Sequence, residues 1–163
     1  DAPQQIVVTW SDVASLPIET GTINPQVPAD SPHLILVETP TLSTAAEHTP
    51  TITLLDVPVE IRLTPIQWEW DFGHESVPNM TTRTPGGHWP DLTVAPIYQD
   101  VAQDITISAT ITWDGEFRVA GTDTWLPVFG RGTTTATSDP FSLREYRVYL
   151  LHDPNQPDPT PDW

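Results

Sequence analysis

Trp68-Glu69-Trp70-Asp71-Phe72-Gly73 alternates large apolar residues with charged ones, and residues 105–113, Ile-Thr-Ile-Ser-Ala-Thr-Ile-Thr-Trp, repeat that alternation. A period of two residues is that of a β-strand with one buried and one solvated face. We therefore assign the indoles of Trp68, Trp70 and Trp113 to the core. The two stretches predict an antiparallel β-sandwich whose aromatic residues point inward.

Further short apolar runs lie on either side of these two stretches and are separated by turn residues. Residues 57–63 alternate in the same way, residues 33–37 form an apolar run typical of a strand covered on both faces, and Asp114-Gly115 is a strong hairpin signal. Most of the 19 prolines fall between such runs, where a missing N–H interrupts a strand. The pattern predicts an all-β sandwich with negligible helix.

The chain divides by composition into three parts. Residues 1–50 read as an N-terminal extension with one or two strands that packs on the sandwich. Residues 51–151 carry the alternating strands, and residues 152–163, rich in proline and aspartate, predict an extended tail. Within the sandwich, residues 76–96 form a long irregular segment, and a loop of that length in a compact domain is typical of a functional segment.

The charge balance excludes several classes of partner. The chain has 22 acidic residues against six arginines and no lysine, which gives a net charge of −16. Nucleic acids and anionic membrane surfaces are bound through cationic side chains, so neither is an expected partner. No apolar run approaches the ~20 residues that span a bilayer, so membrane insertion is not expected either.

The cysteine count and the first residues both bear on the compartment. The chain has no cysteine, so disulfides, zinc–thiolate sites and thiol nucleophiles are excluded. The polar, proline-bearing start, Asp1-Ala2-Pro3, resembles what remains after removal of a signal peptide. We therefore expect a secreted protein at the extracellular cell surface.

Trp70-Asp71-Phe72-Gly73 resembles the Trp-x-Phe-Gly signature of the polycystic-kidney-disease (PKD) type of immunoglobulin-like domain. Tyr98 and the strand of residues 105–113 resemble the elements that follow in that family, and residues 58–151 are similar to secreted actinobacterial proteins with one such domain. The chain departs from the family pattern at His74-Glu75, where an Asp-Gly turn is usual, and at Pro96.

The resemblance implies a fold and a class of function. It implies an immunoglobulin-like sandwich and a surface, adhesion or accessory-binding role without catalytic residues. It also implies that the following residues form the core signature: Trp68, Trp70, Phe72, Gly73, Tyr98 and Trp113.

No catalytic motif emerges from the residues themselves. There is no Gly-x-Ser-x-Gly, the five histidines are scattered, and no Asp-x-Asp-x-Asp calcium loop is present. We expect no enzyme activity, no cofactor and no metal site, with a structural calcium ion as the remaining alternative. The glycosylation acceptor sequence Asn79-Met80-Thr81 is interpreted as incidental.

Two functions remain open. In the first, the protein is a surface subunit that associates with copies of itself or another surface protein, with a filament as one form of assembly. Its docking residues would be Ile6, Val7, Val8 and Trp10, or the tail that ends at Trp163.

In the second, the protein is a monomeric module that binds carbohydrate or cell wall through the loop carrying His88 and Trp89. For Trp89 a purely structural alternative also stands, in which the indole folds back over an open edge of the sandwich.

Overall fold

The computed structural model describes residues 6–145. Strands dominate these residues, and the elements are α1 (Trp10–Ala14), β1 (Ile23–Pro25), β2 (His33–Leu34), β3 (Thr41–Ser43), β4 (Thr51–Leu54), β5 (Val57–Asp71), β6 (Met80–Thr82), β7 (Ala102–Ile105), β8 (Ser108–Val119), β9 (Leu126–Pro127), β10 (Gly132–Thr137) and β11 (Phe141–Arg144). The prediction of an all-β chain with almost no helix is confirmed.

The largest sheet is built on two long antiparallel strands, β5 and β8. Two short strands, β4 and β6, pair with the far side of β5, while β9 and β10 pair with the far side of β8. Each long strand therefore carries two short neighbours end to end. Along β5 and β8, buried side chains face one side of the sheet and more exposed side chains face the other.

A β-bulge in β5 keeps one face apolar along the entire strand. Pro65 pairs with Trp113 and Gln67 with Thr112, so Ile66 is an extra residue without a partner in β8. Inward residues consequently carry odd numbers as far as Leu63 and even numbers from Trp68 onward. One inserted residue reverses the alternation in the sequence while the side chains keep facing the core.

A second layer covers the apolar face of this sheet. It consists of the pair β1–β3 and the three-stranded sheet β2–β11–β7, in which β2 and β11 are parallel. Trp68 of β5 donates its indole N–H to the hydroxyl of Ser43 in β3, over 3.0 Å, and so joins the two layers. Val8, Val13 and Ile23 belong to the same buried cluster, so the first part of the chain shares this core.

Five of the six predicted core-signature residues are buried, whereas Gly73 is exposed in the turn after β5. Trp68, Trp70 and Trp113 retain 3%, 1% and 0% exposure, and Phe72 and Tyr98 are equally inaccessible. The prediction that the alternating aromatic residues share one interior is confirmed.

A buried hydrogen bond fixes the end of β5. The hydroxyl of Tyr98 donates to the carbonyl of Phe72 over 2.8 Å. Burial raises the pKa of Tyr98, and the negative charge of Asp71 adds to this, so the hydroxyl stays a donor. Gly73 follows with φ +73°, and a Cβ there would lie 2.3 Å from the Thr106 carbonyl oxygen. Only glycine fits this turn.

The hairpin predicted at Asp114-Gly115 is wrong. Both residues lie inside β8, opposite Thr64 and Leu63, and Gly115 lacks the positive φ of a two-residue hairpin turn. Pairing with the long strand β5 overrides the local turn preference of this dipeptide. The tight hairpin lies instead between β4 and β5, at Leu55 and Asp56, whose φ angles are +51° and +63°.

The strand predicted over residues 33–37 is shorter than expected. Only His33–Leu34 forms β2, and Leu36 then adopts φ +63°, which turns the chain out of the sheet. Leu36 and Val37 are exposed as a result. The exit brings Val37 to the surface, where it lines the cleft described below.

We expect His33 to make the stability of the protein pH-dependent. Burial lowers its pKa below the ordinary value of 6.5, although a backbone hydrogen bond at Glu38 works in the opposite direction. The unfolded chain therefore binds a proton more readily than the folded one between the two pKa values. The contribution of His33 is complete above about pH 6.5 and decreases as the pH falls toward the folded-state pKa.

The test is chemical denaturation of the wild type and of His33→Gln at several pH values between about 5 and 8. Glutamine can keep the bond that the ring Nε2 makes with Thr39 Oγ1 over 2.9 Å, but it does not titrate. As the pH falls, the free energy of unfolding of the wild type should decrease relative to that of the variant. A difference that is constant with pH contradicts the prediction.

Candidate functional site

The loop that carries Trp89 is attached to the second layer by its backbone. The Gly87 N–H donates to the Thr41 carbonyl over 3.0 Å, and the Ser43 N–H donates to the Pro85 carbonyl over 2.8 Å. Gly86 has φ +74°, and a Cβ at this position would lie 2.2 Å from the Thr41 carbonyl oxygen. The glycine at position 86 thus allows the loop to lie directly against β3.

A reverse turn then places Trp89 at a corner of the chain. The Asp91 N–H donates to the His88 carbonyl over 2.9 Å, with a cis bond between Trp89 and Pro90 inside the turn. The Trp89 N–H donates to Oε1 of Gln26 over 2.8 Å. Both ends of the turn are therefore bonded, while the indole itself points outward.

The far side of this turn is ordered by Asp91. One carboxylate oxygen of Asp91 accepts the N–H of Thr93 over 2.9 Å. Hydrogen bonds from the side chain and then the backbone of Thr93 lower the pKa of Asp91. The turn that presents Trp89 stays formed through these local bonds.

His88 has a structural position beside Trp89. Its Nε2 lies 2.9 Å from the carbonyl oxygen of Asn24, and because a carbonyl only accepts, Nε2 carries the proton. His88 was predicted as an interaction residue together with Trp89. The structure uses this nitrogen to attach the loop to β1.

Trp89 is unlike the other tryptophans within residues 6–145. Trp68, Trp70 and Trp113 are buried, Trp10 lies over Gly132, and Trp125 packs against the guanidinium groups of two arginines. Trp89 is 66% exposed. The alternative in which this indole folds back over an open edge is therefore wrong.

Trp89 forms one wall of a cleft of about 300 Å³, whose other lining residues are Gln26, Val37, Glu38 and Pro40. Gln26 uses its Oε1 for the Trp89 backbone, and no bond within the described residues engages its amide NH2. The cleft therefore combines an aromatic face and aliphatic carbons with an amide donor and a carboxylate. None of its lining residues is basic.

Sequence reasoning found Trp89 but not the residues around it. Gln26 and Glu38 lie far from Trp89 in the chain, and only the packing of the loop on β3 brings the three segments together. The sequence offered one signal for this arrangement. The charged Glu38 directly after the apolar Val37 ends the pattern of a strand covered on both faces, which indicates that the chain leaves the sheet there.

The predicted N-terminal docking residues lie against their own chain. The Trp10 N–H donates to the Phe129 carbonyl over 2.8 Å, and the Phe129 N–H donates to the Val8 carbonyl over 2.9 Å. Val8 is completely buried, Val7 is 51% exposed, and Ile6 and Trp10 are partly buried against the core. Assigning Val8 to an exposed docking face is wrong, because the backbone pairing turns its side chain inward.

A second cleft, of about 480 Å³, lies on the solvated face of the large sheet. Its lining is mostly polar and consists of Glu69, Trp70, Asp71, Asn79, Met80, Thr81, Ser108 and Thr110. The alternation of β5 places both carboxylates on this face. Within residues 6–145, however, no group of three or more histidine or acidic residues is arranged to hold a metal ion.

Other predicted features lie wholly or partly beyond what the structure describes. Trp163, the tail of residues 152–163 and residues 146–151 of the predicted sandwich are outside residues 6–145. Within the described residues, no helix is both long enough and apolar enough to cross a membrane.

Comparison with known proteins found no match for this chain among protein-family models, curated proteins or solved structures. The resemblance to the PKD type of domain therefore stays a prediction from the sequence.

Proposed function

We propose that this protein is a non-enzymatic extracellular module that binds a neutral glycan in the cleft beside Trp89. The observation that carries the proposal is the 66% exposure of the Trp89 indole at the wall of a formed cleft. Single exposed apolar side chains are common on protein surfaces, but an exposed tryptophan at the wall of a cleft is a frequent anchor of binding sites.

The chemistry of the cleft suits a sugar ring. The C–H face of a pyranose is apolar and packs against the electron-rich face of an indole. Its hydroxyl groups need polar partners around that face, which the amide of Gln26 and the carboxylate of Glu38 supply. With a net charge of −16 and no basic lining residue, the protein would repel phosphate- or sulfate-bearing polymers.

The PKD-type immunoglobulin-like fold and the cell-surface location belong to the same proposal. Support for the fold comes from the buried side chains of Trp70 and Phe72, the turn at Gly73, and the Tyr98 hydroxyl that bonds the end of β5. Support for the location comes from the high acidic charge, which is typical of an exported protein surface.

Self-association through residues 5–10 has less support. Val8 and Trp10 already pair with Phe129 of their own chain, so this segment would have to detach before it could dock on a neighbour. Deleting residues 1–10 would therefore remove part of the core as well as the candidate docking segment.

We expect Trp89→Ala to reduce the affinity for a bound glycan by about tenfold or more, which corresponds to about 1.4 kcal/mol. The reason is the loss of the stacking face, while the polar groups of the cleft stay in place. Because Trp89 is exposed, the midpoint of unfolding should move little. The measurement is binding to a broad panel of immobilised neutral glycans, followed by calorimetry on any ligand found.

Leu92→Ala serves as the matched control, since Leu92 is an exposed apolar residue of the same loop that does not line the cleft. It should leave the affinity unchanged, and Trp89→Phe should retain part of it. If no glycan of the panel binds, or if a bound glycan is held equally well by Trp89→Ala, the proposal is wrong.

A further inference from the structure

The far edge of β10 is an open strand edge. β10 (Gly132–Thr137) pairs with β8 on one side, and within the described residues no strand pairs with its other side. The side chains of Thr133, Thr135 and Thr137 are exposed along it. β10 is the longest of the strands that end the large sheet.

The hydrogen-bond parity of β10 shows which backbone groups face outward. One step beyond the strand, the Ser138 N–H donates to the Ile107 carbonyl over 2.8 Å. Hydrogen-bonded pairs alternate along an antiparallel ladder, so the even residues of β10 also direct their N–H and C=O groups at β8. The odd residues, Thr133, Thr135 and Thr137, direct theirs at the open side.

This edge has none of the features that usually prevent strands from pairing. From Gly132 to Thr137 it contains no proline, charged residue or bulge, and threonine is a strong strand former. The neighbouring edge at Phe129 is, in contrast, covered by the pairing with Val8 and Trp10. β10 is thus the part of this side of the sheet that stays available for strand addition.

We propose that β10 pairs antiparallel with β10 of a second copy, across a two-fold axis at Thr135. A two-fold axis requires each outward-facing residue to meet another outward-facing residue. Thr135 then faces Thr135 of the second copy, and Thr133 faces Thr137. The two large sheets join into one continuous sheet, and the open edge disappears. This inference is independent of the glycan site.

The charges that flank β10 match this register. Arg131 precedes the strand and Asp139 follows it, and both are exposed. With Thr135 on the axis, Arg131 lies opposite Asp139 of the second copy at each end of the ladder. Within its own chain, Arg131 has only a loose contact, 3.7 Å from Nε to the Asp114 carboxylate. The opposite charges therefore favour a second copy over an unrelated strand.

The net charge of −16 per chain opposes association, so salt should help it. At physiological ionic strength charges are screened beyond about 8 Å, which weakens the overall repulsion more than the adjacent ion pairs. We therefore expect a weak dimer that forms more readily at about 0.15 M salt than at about 0.01 M. The interface is of the small size associated with transient complexes, below about 1,200 Å².

A cysteine scan tests the register directly, because the chain has no cysteine of its own. In Thr135→Cys the two Cα atoms would be about 5.5 Å apart, within the range of a disulfide. In Thr137→Cys the equivalent atoms of the two copies would be roughly 13 Å apart. Under oxidised glutathione we expect a covalent dimer from the first variant and little from the second.

Mixing Thr133→Cys with Thr137→Cys should give a crosslinked heterodimer that neither variant gives alone. Equal crosslinking at all three positions, or none at Thr135, overturns the proposal. Sedimentation velocity of the unmodified protein, between about 10 μM and 1 mM, supplies a measurement free of substitutions. A monomer throughout this range, or an open-ended polymer, also overturns it.

Charge reversal tests the ends of the ladder. Arg131→Glu and Asp139→Arg should each weaken the dimer by about tenfold, because each substitution places like charges opposite each other at both ends of the ladder. The double variant restores opposite charges and should regain an affinity within about threefold of the wild type. Failure of the double variant to recover contradicts the proposed register.

Discussion

Replacing Trp113 with alanine should lower the free energy of unfolding by about 3–5 kcal/mol, the range for buried tryptophan. Trp113 is completely buried in the middle of β8. Its ring and that of His48 are perpendicular, with centroids 5.3 Å apart, and its indole N–H donates to the hydroxyl of Thr134 over 2.8 Å. Since it also lies opposite Pro65 at the bulge, neighbouring strands have little freedom to close the cavity.

Two smaller changes separate the packing of Trp113 from its hydrogen bond. Trp113→Phe keeps much of the ring volume, while Thr134→Val leaves the indole N–H buried without its partner, which costs about 1–3 kcal/mol. Urea denaturation followed by circular dichroism measures all three variants. A loss below about 1 kcal/mol for Trp113→Ala would mean that this indole is not the central packing element we take it to be.

The faces of the large sheet could be predicted because their signal is local. Residues 108–113 of β8 alternate without interruption, and Ala109, Ile111 and Trp113 are buried. The same holds for Trp68, Trp70 and Phe72. In strands with one solvated face, burial follows directly from the period of the backbone, so no knowledge of the partner strand is needed. The strand predicted over residues 105–113 is interrupted, however, because Ile105 lies in β7 of the second layer and β8 begins at Ser108.

The strand partners could not be predicted in this way, because pairing is a non-local property. Asp114-Gly115 has a strong intrinsic preference for a turn, yet it lies within a long ladder with β5. Leu55-Asp56 has a weaker preference, since leucine is unfavourable at positive φ, and nevertheless forms the tight hairpin with positive φ angles. In both places the summed pairing of many residues outweighs the preference of two.

In the candidate site, too, a local feature could be predicted and the non-local contacts could not. The exposure of Trp89 was one of two readings that the sequence left open, because a loop tryptophan can cover a core or face the solvent. The cleft around it depends on Gln26 and Glu38, which reach Trp89 only through the packing of the loop on β3. A single sequence contains no periodic signal for contacts of this kind.

Deleting Glu69 should abolish the cooperative fold, while deleting Ile66, only three residues away, should be tolerated. Without Ile66, Pro65 and Gln67 become neighbours and can still face Trp113 and Thr112, so every inward residue of β5 keeps its orientation. The deletion removes only the bulge residue, which has no partner in β8. We expect a decrease in the free energy of unfolding of less than about 2 kcal/mol.

Without Glu69, Trp68 and Trp70 become neighbours, and neighbouring residues of a strand point to opposite faces. Whichever part of β5 shifts, the one before or the one after the deletion, one fully buried indole therefore moves into water and a polar side chain enters the core. Both changes together exceed about 5 kcal/mol, which is as much as many domains of this size have in total. Thermal unfolding by circular dichroism and the dispersion of amide proton resonances distinguish the two deletions. Equal behaviour of the two proteins would contradict the role assigned to the bulge, because the bulge is the one feature that makes Ile66 dispensable and Glu69 essential for the alternation.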